Sequence, residues 1–115
     1  MATTRKRTKK PTIESKPSIS FPTYVMIGAH KISIERDKAV LDAMSAWGVF
    51  YPSKLKILIH SEASDSLAYE TLWHEVIEAL NYLAEADMEH RTIQVFGLLL
   101  HQAAESMFGI GKDDA

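Results

Sequence analysis

Apolar and polar residues alternate with a period of two in the first half of the chain, which is typical of β-strands. A β-branched apolar run at 24–27, a turn at 28–29 and alternation over 30–35 predict a first β-hairpin. The next segment, 37–46, has apolar residues at helical spacing and Asp37 as a candidate N-cap, so it predicts a short helix.

A second hairpin is predicted directly after this short helix. Apolar and aromatic residues at 47–51 and 55–60 form two strand candidates, and a Pro-Ser turn at 52–53 separates them. All predicted strands therefore lie before residue 61.

The second half of the chain has the 3.6-residue period of amphipathic helices. One helix is predicted over about 65–86 with Ser64 or Asp65 as its N-cap, and a second over about 89–108, stopped by Gly109. The connection at 87–88 is short, which predicts an antiparallel helix pair. The fold class is therefore predicted to be α+β, with small antiparallel β-hairpins or one small sheet packed on a C-terminal antiparallel helix pair.

Charge is distributed very unevenly along the 115 residues. Residues 1–16 carry six basic side chains and one acidic side chain, whereas residues 17–115 have a net charge of −7. The basic start is too polar to fold alone, so we predict a disordered N-terminal arm over 1–18 and one α+β domain over 19–115. Such an arm can add weak affinity for nucleic acid, although a solvated tail has the same composition.

Several classes of protein are excluded by composition. The chain contains no cysteine, which excludes disulfides, thiolate metal sites and cysteine nucleophiles. No apolar run approaches the length of a membrane span, and the first sixteen residues lack the apolar core of a signal peptide. We therefore expect no membrane association and a cytoplasmic location.

The candidate chemistry lies on the first long helix. His74 and Glu78 are one turn apart with Glu75 between them, one residue away from the H-E-x-x-H zinc-protease motif, because Glu78 occupies the position of the second histidine. They belong to a polar stripe, which comprises Glu70, His74, Glu78, Asn81 and Glu85. A solvated helix surface would give the same stripe.

The second long helix supplies the partner for this stripe. It is apolar nearly all round, which predicts burial on most sides, except for a stripe formed by His90, Gln94, Gly97 and His101. A polar seam on a buried helix needs partners. If the chain turns near Asp87, His74 is level with His101 and Glu78 with Gly97, while His90 lies near the loop. Either His90 or His101 then completes a set of three ligands.

These residue types suit zinc. Two neutral imidazoles and the Glu78 carboxylate form a two-histidine, one-carboxylate site that leaves one position open for water. Glu75 would accept a proton from that water, and Asn81 would orient a ligand or hold a substrate carbonyl. In the alternative interpretation without metal, His90 caps or interacts near a helix start. His101 is then a hydrogen-bonded core histidine, and Glu75 is a surface charge.

The segment Thr71-Leu72-Trp73-His74-Glu75-Val76-Ile77-Glu78-Ala79-Leu80-Asn81, followed by His90, resembles a family of small phage and prophage proteins of minimal zincin-like form. The resemblance covers roughly residues 23–107. It implies a metallopeptidase-like fold with a metal site at His74, Glu78 and His90 and with Glu75 as general base.

Two functions of different classes are therefore predicted. The first is a zinc-dependent metallopeptidase-like protein of phage or prophage origin, acting on a peptide or host protein in the bacterial host cytoplasm. The alternative is a non-catalytic phage accessory protein that binds a host protein or nucleic acid through its acidic body or through residues 1–16. The sequence leaves the substrate and the oligomeric state open.

Overall fold

A computed structural model describes residues 20–109 of the chain. Its elements are β1 (Tyr24–Ile27), β2 (His30–Asp37), α1 (Ala39–Met44), β3 (Gly48–Tyr51), a 3-10 turn (Pro52–Lys54), β4 (Lys56–His60), α2 (Asp65–Ala84) and α3 (His90–Phe108). The predicted α+β fold is confirmed. The predicted arm, 1–18, lies outside the described residues. Across 20–109, no helix is both long and apolar enough to cross a lipid bilayer.

The four strands form one mixed sheet in the order β1-β2-β4-β3. Both predicted hairpins are present, because β1 pairs antiparallel with β2 and β3 pairs antiparallel with β4. The hairpins join through β2 and β4, which run parallel, so the sheet is mixed; the sequence did not predict how the two hairpins pair with each other. Ile57, Leu58 and Ile59 of β4 are all buried, and such a continuous apolar run is typical of a strand that is covered on both faces.

β3 is an edge strand that begins in contact with α2. A Cβ atom at Gly48 would lie 2.5 Å from Thr71 Cγ2 and 3.2 Å from the carbonyl oxygen of Leu58. Glycine therefore allows the strand to approach the helix at a point where a larger residue would push it away. This contact places the edge of the sheet beside the middle of α2.

The core lies between the sheet and α2. Its buried side chains come from β2, β4 and the sheet-facing side of α2, and include Ile32, Ile34, Ile57, Ile59, Ala68, Leu72 and Ala79. α3 packs mainly on the opposite side of α2, and its buried positions are Ile93, Gly97, His101 and Ala104. The expectation that α3 is buried on most sides is wrong, because α3 packs mainly on α2 and much of its apolar surface is exposed.

His60 ties β4 to α1. Its side chain is buried, its Nε2 lies 2.7 Å from Asp42 Oδ1, and its Nδ1 accepts a hydrogen bond from the backbone N–H of Glu62. Hydrogen bonds from His60 and Lys38 lower the pKa of Asp42. Because both ring nitrogens are engaged, His60 is a structural residue.

The long helices begin and end close to the predicted residues, except at the connection between them. Ser64 Oγ caps α2 by accepting a hydrogen bond from the Leu67 N–H, and Gly109 ends α3 in the left-handed conformation, as predicted. α2 ends at Ala84, however, so the connection to α3 is longer than the predicted 87–88 turn. Glu85 and Asp87 in this connection have positive φ angles of 51° and 54°.

The register of the helix pair differs from the predicted one by about one turn. Gly97 faces His74, since a Cβ atom at Gly97 would lie 3.1 Å from His74 Cα and 3.2 Å from its nitrogen. The prediction that His74 is level with His101, and Glu78 with Gly97, is therefore wrong.

The contact at Gly97 gives a test of this register. Gly97→Val should lower the free energy of unfolding by about 1–3 kcal/mol, because the added atoms meet helix backbone that cannot move independently. Gln102→Val, at an exposed position of the same helix, should change the free energy of unfolding by only about 0.5 kcal/mol. Urea denaturation of both variants measures the difference. Equal effects would contradict the close approach of the two helices.

Candidate metal centre

α2 supplies a histidine and a carboxylate from one face of the helix. His74 and Glu78 are one turn apart, and His74 Nε2 lies 3.4 Å from Glu78 Oε2. Both side chains are about a quarter exposed, at 23% and 29%. The pair therefore sits where the solvated side of α2 meets α3, and is partly shielded from water.

The first residue of α3 completes the cluster. His90 Nδ1 lies 3.5 Å from Glu78 Oε2, and the rings of His74 and His90 are 5.3 Å apart at an interplanar angle of 70°. One ligand atom from each of the three residues can be chosen so that all lie within 4.8 Å of one another. Glu78 is the centre of this arrangement, because its carboxylate approaches both imidazoles.

The donor set has the chemistry that zinc prefers, and two of its three separations between ligand atoms match a zinc site. Zinc binds imidazole nitrogen and carboxylate oxygen at ~2.0–2.2 Å, so neighbouring ligand atoms in a tetrahedral site are separated by roughly 3.4 Å. The two histidine-to-Glu78 distances, 3.4 and 3.5 Å, match this separation. Three protein ligands leave the fourth position open.

Burial favours the form of His74 that binds metals. The pKa of His74 is lowered, mainly because burial disfavours the charged ring and also because His90 is close, while the Glu78 carboxylate acts in the opposite direction. The neutral imidazole has a lone pair available for a metal ion.

Glu75 lies beside the cluster and does not belong to it. Its side chain is 7% exposed, and burial, with a smaller contribution from the charge of Glu78, raises its pKa to about 7. A carboxyl group with such a pKa can both accept and release a proton near neutral pH. The prediction that Glu75 is a surface charge in the absence of metal is not compatible with this burial.

Two adjoining clefts of about 500 Å³ each open onto the cluster. His74, Glu75 and His90 line both of them. The first cleft extends past Trp47 and Glu70, and the second past Phe50 and Tyr82. Among the described residues, neither lining includes a lysine or an arginine, so nothing there opposes a cation.

Asn81 acts on the loop that leads to His90. Its side-chain oxygen accepts a hydrogen bond of 2.8 Å from the backbone N–H of Met88, two residues before His90. The amide also lines the second cleft. Its observed contact thus positions the start of α3 and makes no hydrogen bond to a candidate ligand.

The structure brings His90, and not His101, to His74 and Glu78. His101 lies eleven residues further along α3, roughly 16 Å away at the helical rise of about 1.5 Å per residue. It is buried at 4% exposure, and its Nδ1 has no hydrogen-bond partner among the described residues. The alternative with His101 as third ligand depended on the wrong register.

Sequence reasoning missed the contribution of β3 to the site. Gly48, Val49 and Phe50 form one wall of the clefts, although the sequence indicated only an apolar strand there. The available signal was Gly48, because a glycine within a strand often marks a close approach of backbone to another group.

No protein-family model matches this chain, and neither the curated proteins nor the solved structures searched contain a match. The resemblance to small zincin-like proteins therefore rests on the motif residues alone.

The raised pKa of Glu75 predicts the pH dependence of stability in the metal-free protein. The group is protonated in the folded state up to about pH 7 and in the unfolded state only up to about pH 4.5, so stability falls as pH rises through this interval. The loss is at most about 3.5 kcal/mol, at about 1.4 kcal/mol per pKa unit. Glu75→Gln should remove most of it.

Urea unfolding with a chelator at either end of this pH interval measures the effect. Glu62→Gln, at an exposed position outside the clefts, should keep the wild-type pH dependence. A Glu75→Gln profile as steep as that of the wild type would show that Glu75 is not the responsible group.

Proposed function

We propose that this chain is a zinc-dependent peptidase of minimal zincin-like form. The observation that carries the proposal is the convergence of His74, Glu78 and His90 beside a buried Glu75. The first three residues would hold the ion. Zinc in such a site acts as a Lewis acid and lowers the pKa of water to about 7.

Glu75 is the proposed general base. It follows His74 in sequence and therefore projects about 100° further round α2, toward the sheet and the floor of both clefts. Its carboxylate accepts a proton from water as that water attacks a carbonyl carbon, and then donates the proton to the leaving amine. Burial raises the pKa of Glu75 to about 7 in the metal-free protein, and a bound zinc ion would lower it and so favour the carboxylate that accepts the proton.

The edge position of β3 supports a peptide substrate. In the described sheet β3 pairs only with β4, so the other side of its backbone is available to an extended peptide. The same strand lines the clefts beside His74 and Glu75. A peptide paired along β3 would present its backbone carbonyls to the cluster. Phage or prophage origin is a further expectation of the family resemblance.

Metal binding is the first test. Untagged protein should carry about one zinc ion per chain, and His74→Ala, Glu78→Ala and His90→Ala should each weaken zinc binding by more than the ~10–100-fold typical of outer-shell substitutions. His30→Ala is the matched control, because His30 is exposed at the start of β2. Elemental analysis and competition with a chromophoric chelator measure both quantities. Full zinc binding by the three variants would refute the site.

Catalysis is the second test and is separable from the first. Glu75→Gln should keep zinc while lowering the cleavage rate of an unfolded protein substrate such as casein by roughly 10²–10⁴-fold, because the general base is lost. Glu62→Gln should cleave as the wild type does. A wild-type protein that binds zinc and cleaves none of a broad peptide mixture would refute the peptidase proposal. That outcome would favour the non-catalytic accessory protein.

A further inference from the structure

The side of α3 that faces away from α2 exposes an unusual amount of apolar surface. Phe96 is 51% exposed, Leu99 52%, Leu100 42% and Met107 65%. With Ala103 and Ser106, which are also exposed, these residues form the outer stripe of α3. Side chains of this size rarely remain in water as a continuous group on a monomer.

The outer stripe follows the spacing of helix-to-helix contacts. Phe96, Leu99, Ala103 and Ser106 are separated by three, four and three residues, which is the heptad pattern of a packed helix seam. Leu100 and Met107 flank this seam on one side and Val95 flanks it on the other. At 100° per residue, the arc of about 140° that contains all of them includes no charged residue.

The order of large and small residues makes the stripe complementary to itself. If two copies pack antiparallel about a twofold axis between Leu99 and Leu100, each Phe96 faces the partner copy's small residue at position 103. In the same arrangement, Leu99 of each copy faces Leu100 of the partner copy at the axis. A twofold interface requires this kind of self-complementary surface.

The available area agrees with a dimer of ordinary size. Five large side chains that are about half exposed, with ~150–200 Å² each, offer on the order of 400 Å² of apolar surface. A standard interface buries about 800 Å² per partner, of which about 60% is apolar. The basic segment 1–16 is a poor occupant by comparison, because the stripe holds no carboxylate for its six cations.

We propose that the outer stripe is the interface of a homodimer in which two α3 helices pack antiparallel about an axis at Leu99 and Leu100. The candidate metal centre stays open in this dimer. His90, Gln94 and Leu98 line the first cleft from the other flank of α3, roughly 120–160° round the helix from the centre of the stripe.

Two substitutions that introduce opposite charges test both the dimer and the antiparallel orientation of its α3 helices. Wild-type protein at high micromolar concentration should have twice the monomer mass of 12.9 kDa in light scattering coupled to size exclusion. Ala103→Glu and Phe96→Lys should each give monomers, because each places one charge in the apolar seam. The double variant should recover the dimer, since Lys and Glu then face each other twice across the axis.

Met26→Glu is the matched control, because Met26 is 54% exposed on β1, and it should remain dimeric. Circular dichroism and urea unfolding show whether each variant is folded. A wild-type monomer, or dissociation by Met26→Glu, would overturn the proposal, and failure of the double variant to recover would overturn the antiparallel arrangement.

A second measurement does not depend on the charged variants folding. The chain has no cysteine, so Leu99→Cys introduces a single thiol next to the axis. With oxidised glutathione, two such thiols should join as an intermolecular disulfide, with release of reduced glutathione, whereas Met26→Cys should stay mainly monomeric in non-reducing electrophoresis. Equal cross-linking of the two variants would contradict the interface.

Discussion

The close approach of α2 and α3 at Gly97 is the contact on which the candidate site depends. Because Gly97 has no side chain, the backbone of His74 fills the space that a Cβ atom would occupy, 3.1 Å from His74 Cα. This contact fixes the register of the helix pair. It thereby brings the first residue of α3, His90, within reach of Glu78, and it leaves His101 far along the helix, in a buried position of its own.

The electrostatics of the site would be costly without a cation. The charge of Glu78 adds to the effect of burial in raising the pKa of Glu75, and among the described residues no lysine or arginine lines either cleft. Folding alone would favour an apolar residue at the buried position of Glu75. A divalent ion between His74, Glu78 and His90 would offset the repulsion, so the arrangement is easier to explain as a binding site than as packing.

The periodicity of the sequence predicted the helices and strands, but it did not predict how these elements contact one another. The hairpins, the helix spans and the Ser64 and Gly109 ends follow from local patterns that the sequence displays directly. The parallel pairing of β2 with β4 is a long-range choice that no local pattern specifies. The connection between the helices contains Glu85 and Asp87, two acidic residues with positive φ angles, and the sequence offers no glycine there to mark a turn.

The lack of information on contacts between elements also explains why the sequence predicted burial for the face of α3 that is exposed. Apolar residues on all sides of a helix indicate that every side is buried against a partner. The pattern does not say whether that partner belongs to the same chain. In the described part of this chain, α2 covers the side with Ile93, Gly97 and Ala104, while the four-stranded sheet lies beyond α2 and cannot cover the other. The apolar pattern was therefore informative, and a second copy of α3 supplies the burial that it indicates.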